Sequence, residues 1–166
     1  MNATAASLLG FLHERPMSGW DLVTTAELLI GDFWSLTRSQ VYRELTAMAG
    51  AGLIEAGETG PRDRRPYAIT DAGRAAFREW LAQPPGDEQI RFPLLLTLVF
   101  EAHLPDEQLR AFVTEHRAVH EERLAGYREQ HAALGDEASI VLDFGIRYEE
   151  AVLGWFDALP ARLRGG

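Results

Sequence analysis

Apolar residues recur at steps of three and four along most of this chain, with one interruption. In residues 4–13 (TAASLLGFLH), Leu8, Leu9 and Leu12 form a helical stripe. Pro16 ends that helix, because the residue before a proline is pushed out of the helical region. Ser18, with Asp21 three residues on, has the spacing of a capping box and opens a second helix. Its expected buried positions are Trp20, Val23, Leu28 and Leu29, and Gly31-Asp32 ends it. Thr37 and Gln40 repeat the capping spacing ahead of a third helix. There Val41, Leu45 and Met48 point inward, while Arg38, Ser39, Gln40, Tyr42 and Arg43 lie elsewhere near the helix start. Gly50 and Gly52 supply the left-handed stop. The interruption follows: Leu53-Ile54 and Tyr67-Ile69 are two short strand pieces around the turn Gly57–Pro66, which holds Arg62, Arg64 and Arg65. Thr70-Asp71 then opens a fourth helix, packed by Phe77, Trp80 and Leu81, with Asp71 suited to the positive helix start.

Pro84-Pro85-Gly86-Asp87 marks the boundary between an expected amino-terminal domain, 1–84, and a carboxy-terminal one, 85–166. The second half lacks strand signals. Ile90–Leu104 is apolar but too short to span a bilayer, so it predicts one buried helix with Pro93 in its first turn. Pro105 opens a long helix to Leu134, with an inner face of Leu109, Phe112, Val113, His116, His120, Leu124, Tyr127, His131 and Leu134. Gly135-Asp136 turns the chain into a last helix, about Glu137 to Leu159. Val141, Phe144, Tyr148, Val152, Trp155, Phe156 and Leu159 sit at its helical steps. The tail from Arg162 to Gly166 is expected to fray. The fold class is therefore mainly α: a winged helix-turn-helix with a two-stranded β-wing, then an α-helical carboxy-terminal dimerisation domain. Long amphipathic helices with unpartnered stripes favour a homodimer, which would present two heads to a palindromic site.

Composition changes this picture in three ways. Hydrophobic residues make up 46% of the chain, enough for a core, and there is no cysteine, which excludes disulfides and thiolate metal sites. With no leader and no long apolar run, the expectation is a cytoplasmic protein with no membrane contact. The net charge of −9 is unusual for a nucleic-acid binder, but it is unevenly placed. Residues 1–84 hold 8 Arg against 10 acidic residues, leaving −2, and residues 85–166 hold 8 Arg against 15, leaving −7. All 16 strong bases are arginine, the better residue for bidentate phosphate and guanine contacts, although genome composition alone also yields that bias.

The candidate chemistry is DNA recognition. Arg38, Ser39, Gln40, Tyr42 and Arg43 have the groups for base edges and phosphates, and Arg62, Arg64 and Arg65 those for flanking phosphates. The plainer readings are an exposed helix face and a solvated turn. The aromatics Trp34, Phe92, Phe100, Phe144 and Trp155 could line an effector cavity, against ordinary core packing. His116 and His120 are four apart, a metal-ligand spacing, but lack the remaining signature, so seam or surface histidines are favoured and no metal or cofactor is expected. A seam with His116, His120 and His131 would weaken on acidification. Glu121-Glu122 and Glu149-Glu150 read as solvated faces, and no catalytic motif is found, so an enzyme is not expected.

Three blocks together resemble the PadR family of bacterial transcription regulators: SLLGFLHERPMSGWDL, FWSLTRSQVYRELTAMAGAGLIEA and GPRDRRPYAITDAGRAAFREWL. They cover about residues 5–81, and the pattern around Phe92–Phe100 with His116-Arg117 is more weakly similar to the family's helical domain. The resemblance implies a dimeric winged-helix repressor of double-stranded DNA, in some members released by a small aromatic or lipophilic ligand. Two departures stand out. Trp20 replaces a tyrosine common among relatives, and Asp63 lowers the positive potential of the wing. The competing reading is a winged-helix protein-interaction module that no longer binds DNA.

Overall fold

Asn2 starts the first helix by accepting the Ala5 N–H at 2.8 Å, so an otherwise unpaired donor of the first turn is satisfied. Helix α1, Ala3–Glu14, buries Ala5, Ala6, Leu8, Leu9 and Leu12. It packs against α2 (Gly19–Ile30), α3 (Arg38–Gly50), α4 (Asp71–Leu81) and the last strand. The computed structural model describes residues 1–58, 60, 64–88, 90–137 and 139–164, except for the Asp136 side chain. They fall into two compact units, Met1–Asp87 and Glu88–Gly166.

In the first unit the sheet has three strands rather than the expected two. Strand β1, Met17–Ser18, joins β2 (Ile54–Ala56) and β3 (Pro66–Ile69) in the antiparallel order β1-β3-β2. Met17 faces Tyr67 and Ser18 faces Pro66, while Ile54, Glu55 and Ala56 face Ile69, Ala68 and Tyr67. A two-residue strand carries no alternation, so periodicity could not find it. Ser18 ends β1 and also caps α2. Its hydroxyl accepts the Asp21 N–H at 3.2 Å, while Asp21 Oδ2 accepts the Ser18 N–H at 3.0 Å and hydroxyl at 2.7 Å.

Helix α2 buries Gly19, Leu22, Val23 and Ala26. Of the four positions expected inside, only Val23 is buried. Trp20, Leu28 and Leu29 are exposed at 45%, 82% and 55%. The buried stripe runs through Gly19, Leu22, Val23 and Ala26 at steps of three and four, and Trp20, Leu28 and Leu29 fall on other faces. Helix α3 buries Val41, Leu45 and Met48 as expected, together with Glu44. It ends where Gly52 takes φ +70, beyond a C-cap at Ala51. Thr70 locks the next junction. Its hydroxyl accepts from Gly73 N–H at 3.0 Å and donates to Gly52 O at 2.7 Å. A Cβ at Gly73 would lie 2.1 Å from the Leu53 carbonyl oxygen, so only glycine fits. On α4, Phe77 packs into the core and Trp80 is half-buried, but Leu81 is exposed, contrary to expectation.

In the second unit the apolar segment is not one buried helix. It forms α5, Pro93–Val99, and a 3-10 turn, Glu101–His103. Pro93 does start α5, but Phe100 at φ −109 and ψ 25 leaves the helical path. Only Leu94 of α5 is buried; Leu95, Leu96 and Val99 are exposed. Helix α6 is Asp106–Leu134 and α7 is Ile140–Asp157. Leu94, Val113, Phe156 and Leu159 form the core, with Phe92, Leu98, Phe112 and Val152 packed around it. Of the expected α7 stripe, Val141, Phe144 and Tyr148 face solvent, whereas Leu142 and Glu149 are buried. The tail is pinned through residue 164: Leu163 is buried, and Arg162 pairs with Glu101 at 2.7 Å and Asp106 at 3.2 Å. Gly165 and Gly166 lie outside the described residues.

The Ser18 side chain, then the Ser18 backbone N–H, and then Arg64 hold the Asp21 carboxyl below the ordinary carboxylate range. A carboxyl depressed by folding stabilises the protein above its unfolded pKa, about 3.9, and the contribution is lost as pH falls through the folded value. Asp21→Asn is therefore expected to lower the urea midpoint at pH 7 and to narrow the gap from wild type below about pH 4. A gap that stayed constant with pH would show that the carboxylate plays no such part.

Candidate nucleic-acid interface

Helix α3 begins with its polar residues on the open side. Arg38 and Ser39 are exposed in the first turn, Arg43 is exposed one turn on, and Tyr42 is 44% exposed. Gln40 is placed differently. It is half-buried, and its Oε1 accepts both the Thr37 N–H at 2.8 Å and the Thr37 hydroxyl at 3.0 Å. That oxygen is committed to the cap. An amide reading adenine uses oxygen and nitrogen together, so Gln40 is the weakest base reader of the group. Arg43 donates to Glu44 Oε1 at 3.3 Å, which partly offsets its charge. Ser39 and Thr37 hydroxyls lie 3.1 Å apart.

The β2–β3 hairpin stands beside this helix. Gly57 N–H donates to Pro66 O at 2.8 Å and Gly60 N–H to Arg64 O at 2.9 Å, which continue the pairing beyond the strands. Arg65 Nε donates to Gly57 O at 3.1 Å and is held across the hairpin. Arg64 lies with its guanidinium carbon 4.5 Å from the centre of the Trp20 ring and its Nη1 3.9 Å from Asp21 Oδ1. Arg62 and Asp63 fall outside the described residues. A cleft of about 320 Å³ opens between these elements, lined by Ser18, Gly19, Trp20, Tyr42, Arg64, Arg65 and Tyr67. Gly19 makes this closeness possible, since a Cβ there would lie 2.7 Å from the Tyr42 ring. The structure thus gathers Tyr42, Arg64 and Arg65 around one opening. It also adds Gly19, Trp20 and Tyr67, which helical periodicity had assigned to packing or had passed over. No spacing rule could have found them, because the contact is between α2, α3 and β3.

The aromatic candidates are divided between the two units and differ in exposure. Trp34 belongs to the first unit and is 45% exposed. In the second unit Phe92 and Trp155 meet edge to face, with ring centres 5.9 Å apart, and Phe92 lies 5.6 Å from His120. Phe100 and Phe144 are exposed at 56% and 62%, and Phe144 stacks on Tyr148. The three histidines differ in burial: His131 is exposed, His116 is half-buried, and His120 is buried against Glu149. His120 Nδ1 bonds Glu149 Oε2, and Arg123 Nη1 lies 3.6 Å from Glu149 Oε1. Glu149 is only 2% exposed, so the solvated-face reading of Glu149 is corrected. Among the described residues no group of three His, Cys, Asp or Glu side chains could hold a metal, and no helix is long and apolar enough to cross a membrane.

Residues 8–79 match the PadR-like family of transcriptional regulators, and residues 90–164 match the carboxy-terminal region of virulence activator alpha. A probable transcriptional regulator of Mycobacterium tuberculosis is 29% identical over 95% of this chain and 96% of its own. The negative transcriptional regulator PadR of Bacillus subtilis is 22% identical over 98% of each chain. Its structure with operator DNA superposes with a TM-score of 0.78, covering 95% of this chain and 96% of that one, and it has also been solved with p-coumaric acid. The virulence activator AphA of Vibrio cholerae, 26% identical, covers 97% of this chain and 96% of its own at a TM-score of 0.69. The two matched regions account for nearly the whole chain, each in its own unit, and the chain is a transcriptional regulator of the PadR-like type, a family of regulators and not of enzymes.

Proposed function

We propose that this protein is a cytoplasmic, homodimeric repressor that reads a palindromic operator. Residues 1–84 are its DNA-binding domain and residues 85–166 its dimerisation domain. The observation that carries this reading is the exposed start of α3 beside a wing whose arginines share a cleft with Tyr42. Arg38, Ser39, Tyr42 and Arg43 enter the major groove, with Gln40 ordering the first turn from behind, and Arg62, Arg64 and Arg65 meet the flanking phosphates. The negative regulator PadR of B. subtilis supports repression, and its structure with operator DNA supports the mode of binding.

Dimerisation is supported by the apolar side chains left at the surface of the second unit. Val141, Phe144 and Tyr148 lie on one face of α7, and Leu95, Leu96 and Val99 on α5. An exposed stripe of this kind marks an interface more often than solvent. The effector class is a small planar aromatic compound. Phe92 and Trp155, both half-buried with ring centres 5.9 Å apart, offer ring contacts, and B. subtilis PadR has been solved with p-coumaric acid.

Replacing Arg62, Arg64 and Arg65 together with Ala is expected to weaken binding to every duplex and to flatten the salt dependence by about 0.9 per lost phosphate contact. Fluorescence anisotropy against the DNA upstream of its own coding sequence measures both, and an unchanged slope would take the wing out of the interface. Absence of DNA binding by the wild type would instead favour a protein-interaction module, as the Asp21 counter-charge beside Arg64 would suit. Sedimentation of the free protein is expected to give twice the chain mass of 18.5 kDa; a monomer at micromolar concentration would end the two-fold reading. Titration with p-coumaric acid is expected to quench tryptophan fluorescence and release DNA over the same concentration range. Quenching without release would leave the compound a bystander.

A further inference from the structure

The run Ser18-Gly19-Trp20-Asp21 touches both parts of the reading head, and each residue does so differently. Ser18 belongs to β1 and pairs with Pro66 on the wing strand. Gly19 leaves room for the Tyr42 ring from α3. Trp20, exposed at 45%, does not serve the core; its indole face carries Arg64 at 4.5 Å. Asp21 completes the α2 capping box by accepting the Ser18 N–H, and its carboxylate stands 3.9 Å from the same guanidinium. A large aromatic left in solvent, with a wing arginine laid across it, calls for an explanation other than packing.

We propose that Trp20 is a positioning residue for DNA binding: it holds the Arg64 guanidinium over its ring, beside the cleft they line with Tyr42, so that one phosphate of the duplex backbone seats there. The proposal rests on the DNA-binding reading given above. An arginine stacked on a ring keeps its N–H edge free to meet an anion, because the cation–π contact uses the face of the guanidinium and not its donors. The long side chain is then ordered before DNA arrives, and less rotamer freedom is lost on binding. Asp21 is the counter-ion in the free protein, and at 3.9 Å its pairing with Arg64 is loose enough for a phosphate to replace it. Phenylalanine or tyrosine in place of Trp20 preserves the ring face; an aliphatic side chain of similar bulk does not.

The test is a double-variant cycle on the full-length protein, using fluorescence anisotropy. Two labelled probes are used, the duplex upstream of its own coding sequence and a random duplex of equal length. Arg64→Ala is expected to reduce the salt slope by about 0.9. Trp20→Ala and Trp20→Leu are expected to weaken both duplexes by the same factor, about 3- to 5-fold, and Trp20→Phe by less than about twofold. Trp20→Ala added to Arg64→Ala is expected to cause no further loss, with thermal midpoints matching within each pair. Additive losses, or a Trp20→Leu protein that binds like wild type, would overturn the assignment while leaving DNA binding intact. A wild-type protein that binds neither duplex would overturn both readings at once. Trp20→Leu retains apolar bulk, so it decides the matter even where Trp20→Ala fails to fold.

Discussion

The pairing of β1 with β3 is the contact on which the first unit depends. It involves two residues, Met17 and Ser18, and few hydrogen bonds, yet it joins three things that are distant in sequence. Ser18 is both the last residue of the strand and the cap of α2, so the first turn of that helix cannot move independently of the sheet. Because β3 is also the inner strand of the wing, the hairpin inherits the same reference point. Two of the elements that border the cleft, α2 and the wing, are thereby tied to one residue.

Capping supplies the rest of the local order. Ser18, Thr37 and Thr70 each accept an N–H of the helix they open, and two of the three caps are reciprocated by the residue at the third helical position. A side-chain oxygen has few lone pairs, and those it gives to the backbone it cannot give to a base. Gln40 shows the consequence. The sequence makes it a plausible base reader and a plausible cap, and in the fold its oxygen already serves Thr37. Asp21 shows the opposite case, in which one carboxylate caps a helix and still faces a cation from another element.

The second unit is built on a different balance. Its core is small, and large apolar side chains from α5 and α7 remain outside it. Between α6 and α7 the buried His120–Glu149 contact replaces apolar packing with a directional one. Such a pair fixes which residues face each other, because any slip would strand a buried carboxylate without a partner. The stripe expected on α7 was therefore divided: Phe156 went to the core, while Val141, Phe144 and Tyr148 went to the surface.

The sequence by itself determined the helices, the caps at Ser18, Thr37 and Thr70 and the hairpin of the first unit, since these follow from spacings of three and four and from glycine and proline, which act locally. It also located the exposed start of α3, because Arg38, Ser39 and Arg43 lie off the stripe of Val41, Leu45 and Met48. Only the tertiary structure decided the face of α2, the two-residue strand, the broken apolar segment and the burial of Glu149. Each of these depends on a partner remote in the chain. Trp20 is the clearest instance: an apolar residue near a helical stripe reads as core from its neighbours in sequence. The buried face of α2 leaves it outside the core, and the strand pairing that brings the wing to its side lays an arginine 44 residues further along over its ring.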